Sequence, residues 1–190
     1  MTAQPAQPMI DENKLNEFVS KFVADVGAAM HASTVLIGDK LGLYKAMADG
    51  VPVTSEELAS RTGTDERYVK EWLAAQAASG YAEYDPATER FHLTPEQAFA
   101  LANEYNPVFV PGGFQGPAAA MKDVDLMVEA FHSGEGVGWH EHDHELFEGT
   151  ERFFRSNYIA NLTTAWIPAL DGVQEKLQSG AKVADIGCGH

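Results

Sequence analysis

The most specific chemistry in this sequence lies in its last residues. Val183-Ala184-Asp185-Ile186 reads as a short buried strand, and it runs into the turn Gly187-Cys188-Gly189. Glycine after a strand lets the backbone turn tightly and lets a ligand approach the main chain. A turn lined by N–H groups also suits an anion. A dinucleotide fold needs G-x-G-x-x-G, and only Gly187 and Gly189 of that pattern are present. Asp185 stands two residues before the first glycine, which adds a carboxylate to the turn. Cys188 could supply a thiolate nucleophile. A small residue that merely fits the turn is the simpler reading.

The second chemically dense stretch is Trp139-His140-Glu141-His142-Asp143-His144-Glu145. Imidazoles and carboxylates are good ligands for zinc or iron. The spacing does not converge them. On a helix His140 and His144 share a face and His142 points away, whereas on a strand all three share a face with Glu141 and Asp143 opposite, and no second ligand set stands elsewhere. No metal is therefore expected. A polar loop that caps the next helix is the favoured reading. A loop beside an active site, with His140 or His144 as general base, is the alternative.

Composition narrows the partners. The 190 residues carry a formal net charge of −15, and 45% of them are hydrophobic. Binding DNA phosphates requires a basic face, so nucleic acid and anionic membranes are not expected partners. Cys188 is the only cysteine, so no internal disulfide can form. Residues 1–8 lack the charged and apolar segments of a signal peptide, and no apolar run reaches spanning length. The expected location is the cytoplasm.

Several elements must position these groups. Residues 12–47 follow a helical pattern, with Leu15, Phe18, Val19, Phe22, Val23 and Val26 along one face. Gly27 is expected to mark a break or a tight contact, and Gly42 an interruption. The stripe serves either as ordinary core or as a surface that joins two copies into a homodimer. Thr54 and Glu57 form a capping-box pattern for a helix over 55–61, which ends near Gly63. Thr64 is expected to cap a second helix, 65–78. Two short strands, 81–84 and 90–93, flank the turn Asp85-Pro86-Ala87-Thr88. Helix, turn, helix and hairpin together predict a winged helix-turn-helix. Thr94-Pro95-Glu96-Gln97 opens another short helix. Further helices are predicted over 117–131, 149–165 and 169–178, around a glycine-rich loop at 133–138.

A winged helix that reads DNA should offer Arg, Lys, Asn or Gln at the start of its second helix. Here that start is Asp65-Glu66-Arg67, and the wing carries Glu83, Asp85 and Glu89. Packing or dimerisation is favoured over a DNA-binding regulator, which is kept as the alternative.

With Asp185 ahead of Gly187 and Gly189, the chain resembles the class I S-adenosylmethionine (SAM)-dependent methyltransferases, whose first motif is (D/E)-x-G-x-G-x-G. More broadly it resembles the N-terminal half of small-molecule methyltransferases that have a winged-helix dimerisation domain. The resemblance implies SAM as cofactor and a small-molecule methyl acceptor. It implies that Asp185, Gly187 and Gly189 contact the cofactor. Phe154 and Tyr158, on the helix before the motif, match positions that touch it in the plant-type O-methyltransferases, although core packing is the slightly favoured reading of both. The implied architecture is mainly α with a small β-hairpin: a helical dimerisation and winged-helix domain over 1–104, a helical linker over 105–181, and the start of a Rossmann-like α/β domain at 182–190. The sequence stops inside the motif, so the chain alone is expected to be inactive. A glycine directly after His190 would fit the methyltransferase motif, whereas one placed a position later would fit an NAD-dependent enzyme.

Overall fold

The computed structural model describes residues 9–188. Helix α1, Glu12–Lys40, runs unbroken for 29 residues. Asp11 caps it, accepting from the backbone N–H groups of Asn13 at 3.0 Å and Lys14 at 3.3 Å. Gly27 does not interrupt it, contrary to the sequence expectation. One interior glycine costs a helix only about 1 kcal/mol against alanine, and the flanking turns outweigh that. A Cβ at Gly27 would meet nothing within 4 Å. Gly27→Ala is therefore expected to stabilise the chain by up to about 1 kcal/mol in urea titrations. The break comes instead at Gly42, which adopts the left-handed conformation before α2, Leu43–Ala46.

The winged-helix unit follows. Helix α3, Ser55–Thr62, carries the expected capping box of Thr54 and Glu57 and ends at left-handed Gly63. Helix α4, Glu66–Ala78, is capped by Asp65 rather than Thr64. The Thr64 hydroxyl instead pairs with that of Thr62 at 2.8 Å. Strands β1, Glu83–Asp85, and β2, Arg90–His92, pair antiparallel with Tyr84 opposite Phe91. The Asp85 carboxylate holds the turn by accepting from Ala87 N–H at 2.9 Å and the Thr88 hydroxyl at 2.7 Å. Val53 bridges to Phe91 on the other side of β2. Helix α5, Pro95–Leu101, has its own capping box from Thr94 and Gln97.

Leu43, Met47, Leu58, Leu73, Trp72 and Leu93 fill the core of this unit. The C-terminal half of α1 closes it. Gly38 allows that approach, because a Cβ there would lie 2.4 Å from the Trp72 ring. A buried polar chain pins α1 to α4. The Tyr44 hydroxyl donates to Gln76 Oε1 at 2.6 Å, Gln76 Nε2 donates to Thr34 Oγ1 at 3.0 Å, and Trp72 Nε1 donates to the Thr34 carbonyl at 2.8 Å. Burial also drives the pKa of Tyr44 strongly upward, so its hydroxyl stays a donor.

The N-terminal half of α1 projects from this unit. The stripe from Leu15 to Val26 is exposed, with Phe18 at 68% and Phe22 at 58%. Within one chain these residues are not core.

His31 marks the junction between this projecting half and the rest. Its ring packs edge-on against Tyr81 at 4.4 Å, and among the described residues its buried Nε2 has no hydrogen-bond partner. Burial lowers its pKa below the ordinary 6.5. The folded state therefore favours neutral His31, and the unfolded chain takes up the proton first. Stability from this group is complete above pH 6.5 and is lost as pH falls through the lowered folded value. Urea titrations from pH 7 downward are expected to show that loss, and His31→Phe is expected to flatten it. An equal pH dependence in both chains would refute the assignment.

The linker differs most from the sequence expectation. In place of one helix over 117–131, α6, Gly112–Lys122, and α7, Val124–Ser133, meet at Asp123. The buried Asp123 carboxylate accepts from Asp143 N–H at 3.1 Å and bonds His142 Nδ1 at 2.8 Å. This long-range cluster decides the break. Helix α8, His144–Asn161, is capped by Asp143 and starts five residues earlier than expected. A wide π turn, Leu162–Trp166, continues it. Helix α9, Val173–Gln178, starts only after left-handed Gly172.

Helices α6 and α8 pack closely through glycine. A Cβ at Gly149 would fall 2.8 Å from the Gly116 backbone nitrogen. Residues 182–188 form no strand, and Val183 and Ile186 are 73% and 93% exposed. A strand needs a neighbour for its N–H and C=O groups, and no described segment lies alongside. The predicted buried strand at 183–186 is corrected accordingly.

Candidate functional site

One face of α8 repeats at helical spacing: Phe147, Glu151, Phe154, Arg155, Tyr158. Together with the 3-10 turn Trp139–Glu141 and the turn at Gly187 and Cys188, that face encloses a cavity of about 760 Å³. Trp139 and Phe147 meet edge-on at 5.1 Å, and Tyr158 packs edge-on against Trp166 at 5.6 Å. The cavity thus has aromatic walls. Its polar groups are His140, Thr150, Glu151 and Arg155.

The backbone on the open side is glycine for a physical reason. Gly187 has φ +74°, and a Cβ there would meet none of the described residues within 4 Å. Among the described residues it is conformation, not crowding, that requires glycine at this position.

Four sequence candidates meet here: His140, Phe154, Tyr158 and Gly187. His144 stands apart, with its Nδ1 3.2 Å from Glu148 Oε1. Asp185 does not line the cavity. Gly189 lies outside the described residues. The histidine cluster divides among three tasks: His140 lines the cavity, His142 binds Asp123, and His144 pairs with Glu148. Among the described residues no three His, Cys, Asp or Glu side chains converge as metal ligands. Glu151 and Arg155 escaped the sequence reading. Their four-residue spacing beside Phe154 and Tyr158 was the available signal.

Arg152 holds α8 against the winged-helix unit. Its guanidinium makes two bonds to Asp39 of α1, at 2.8 and 3.1 Å. It also donates to Gln115 Oε1 of α6 at 3.0 Å and lies over the Phe109 ring. Burial opposes the Arg152 charge, but the Asp39 bond overrides it and the pKa is raised. Nearby, Lys40 bonds Glu145 at 2.7 Å and holds that carboxyl below its usual range. Glu104 lies 3.5 Å from Arg152 and 3.6 Å from Arg155, so it links this anchor to the cavity wall.

A larger groove, about 920 Å³, lies between α1, α2 and α5. Three of its four charged side chains, Asp39, Glu104 and Arg152, are paired with one another, the fourth being Lys45, and none of the described glycine turn lines it. The cavity at Gly187 is therefore the candidate site.

The winged-helix face presents a mixed surface. Glu66 accepts from the Ser55 hydroxyl at 2.6 Å, and the wing's Arg90 is clamped on Glu57 at 2.8 and 2.9 Å. That bond raises the Arg90 pKa and lowers the Glu57 pKa. Among the described residues no helix is long and apolar enough to cross a membrane.

Comparison with known proteins gives a consistent picture of the fold. Residues 29–103 match the Rv2258c-like winged HTH domain and form a domain of that type. No curated protein matches the chain. Among solved structures, the chain resembles PigF with SAH, at 14% identity and a TM-score of 0.54 over 87% of this chain and 50% of that one. It resembles the mitomycin 7-O-methyltransferase MmcR at 19% identity and a TM-score of 0.57, over 81% of this chain and 49% of that one. It also resembles an O-methyltransferase family protein from Burkholderia thailandensis at 13% identity and a TM-score of 0.55, over 84% of this chain and 46% of that one. The chain spans about half the length of the solved structures it matches. At these identities the likeness shows the fold.

Proposed function

We propose that this chain is the N-terminal part of a SAM-dependent methyltransferase that acts on a small molecule. One observation carries the reading: the glycine turn at Gly187 and the linker residues His140, Phe154 and Tyr158 line a single cavity. The donor set fits the cofactor. Aromatic faces suit a purine and a sulfonium cation, and the open glycine turn admits close main-chain contact. When bound, SAM supplies a methyl group on a positively charged sulfur. The chain's own residues bind and orient the reactants and shield them from water. His140 is the candidate for accepting a proton from the acceptor. His144, paired with Glu148 outside the cavity, is the weaker placed of the two.

The winged helix supports a structural role in this reading. Asp65 and Glu66 lie at the start of its second helix, and Arg90 is committed to Glu57. The exposed stripe of α1 supports a homodimer joined through the N-terminal helices. Phe22→Asp is then expected to shift the protein toward monomer by at least tenfold in sedimentation equilibrium. Unchanged association would exclude this face as the contact. The domain limits that go with the reading are 1–104, 105–181 and a cofactor domain that opens at 182.

The deciding experiment is calorimetry with S-adenosylhomocysteine (SAH), paired with methyl transfer from labelled SAM. The full-length protein is expected to bind SAH and to methylate a small acceptor. The 190-residue chain alone is expected to do neither, since no described segment pairs with residues 182–188 to hold that side of the site. Failure of the full-length protein to bind SAH would overturn the proposal. Binding by the 190-residue chain would overturn the expectation that it is inactive.

A further inference from the structure

The function stated so far leaves His142, the middle histidine of the cluster, without a task. Its Nδ1 stands 2.8 Å from Asp123 Oδ2. The two side chains are only 19% and 9% exposed. The same carboxylate accepts from Asp143 N–H through Oδ1 at 3.1 Å. Asp123 therefore grips two consecutive residues. Asp143 caps α8, and His142 closes the 3-10 turn Trp139–Glu141. The bond to Asp143 by itself ties the start of α8 to the break between α6 and α7. The bond to His142 ties down the turn.

That turn has little else to hold it. None of its residues is buried among the described ones, and Trp139 is 62% exposed. A short turn without a core contact keeps its place only through its tethers. Internally it is closed. Glu141 N–H donates to the Gly138 carbonyl at 2.9 Å, and Gly138 N–H donates to Glu141 Oε2 at 2.6 Å. The His140 ring folds onto Gly138, where a Cβ would fall 2.8 Å from its Cε1. Trp139 joins this closed piece to its surroundings through two ring contacts. It meets Phe147 of α8 edge-on at 5.1 Å and His142 edge-on at 5.8 Å. With Nδ1 held by Asp123, the His142 ring is a fixed support for the indole.

We infer that Asp123 and His142 are positioning residues of the candidate site: they hold Trp139 against Phe147, and with it the turn that carries His140, on the cavity. Neither of them lines the cavity, so both act through Trp139. The inference rests on the methyltransferase reading for what the cavity binds. The histidine spacing then has a reason. His140 serves the cavity, and His142, two residues on, anchors the turn that presents it.

The test uses the full-length protein labelled with 5-fluorotryptophan. The Trp139 fluorine line is identified by its loss in Trp139→Phe. His142→Asn is the informative variant, because its amide nitrogen keeps the bond to Asp123 while the ring is lost. A pair that only braced the fold would tolerate that change. Positioning does not: the Trp139 line of the ligand-free protein is expected to move. SAH binding by calorimetry is expected to weaken about fivefold or more, since Trp139 and His140 must then be ordered on binding. In a Trp139→Ala background the same substitution is expected to change SAH affinity by less than about twofold, because the residue it acts through is gone. Asp123→Ala is expected to move the Trp139 line as well. An unmoved line or an unmoved SAH affinity in His142→Asn overturns the inference and leaves the cofactor cavity standing. An equal loss of SAH affinity with and without Trp139 also overturns it, since His142 would then act by another route. If the unsubstituted protein does not bind SAH, the methyltransferase reading falls, and this inference falls with it.

Discussion

Arg152→Met is expected to destabilise the chain by about 3–5 kcal/mol, the cost of leaving one member of a desolvated ion pair alone. Arg152 and Asp39 are only 20% and 14% exposed, so water replaces the lost partner only in part. The change also removes the bond to Gln115 and the contact with Phe109, and it loosens the hold on Glu104. Arg152 joins three elements, α1, α6 and α8, so its loss should free the linker from the winged-helix unit. Urea unfolding followed by circular dichroism measures the cost, and limited proteolysis should locate the first cleavage at 103–111. The paired variant Arg152→Met with Asp39→Leu is expected to recover most of the loss, because a hydrophobic pair can replace a buried ionic one. A single variant that loses less than about 1 kcal/mol would show the pair to behave as a surface contact.

Gly149→Val is the second large effect. A Cβ at Gly149 would stand 2.8 Å from both Gln115 Cβ and the Gly116 backbone nitrogen, and 3.1 Å from the Gln115 carbonyl carbon. Two of these three atoms are backbone, so no rotamer change can relieve the overlap. Helices α6 and α8 must separate. Overpacking of this kind costs about 1–3 kcal/mol, and the rigid neighbours place this case at the upper end. Helix α8 carries Glu151, Phe154, Arg155 and Tyr158, so the cavity wall moves with it. Thermal unfolding should show a clear drop in Tm, with weaker SAH binding by the full-length protein at temperatures where it remains folded. A Tm equal to that of the unsubstituted chain would mean that the helices do not approach as closely as described.

Both effects lie where the sequence was silent. Thr54 with Glu57 and Thr94 with Gln97 were legible because a capping box closes within four residues. The hairpin turn was legible for the same reason, since Asp85 bonds its own neighbours. Gly27 was misread because local propensity yields to the summed hydrogen bonds of a long helix. The break at Asp123 was missed because its partners, His142 and Asp143, are about twenty residues away. Gln76 was not counted as core, although it is fully buried, because its partners Tyr44 and Thr34 belong to other helices.

In the candidate site, the glycine turn, Phe154 and Tyr158 could be named from sequence. Glu151 and Arg155 could not, because an i, i+4 pair looks the same whether it faces water or a cavity. By itself the sequence determined the helix caps, the helical stripes, the hairpin turn and the position where only glycine can turn the chain. Those features depend on hydrogen bonds and backbone conformations that close within one helical turn. The tertiary structure alone decided which stripe is buried, where the linker breaks, and that His140, Arg155 and Gly187 share one cavity. Burial and ion pairing depend on what lies opposite in space, and residues far apart in the chain supply it.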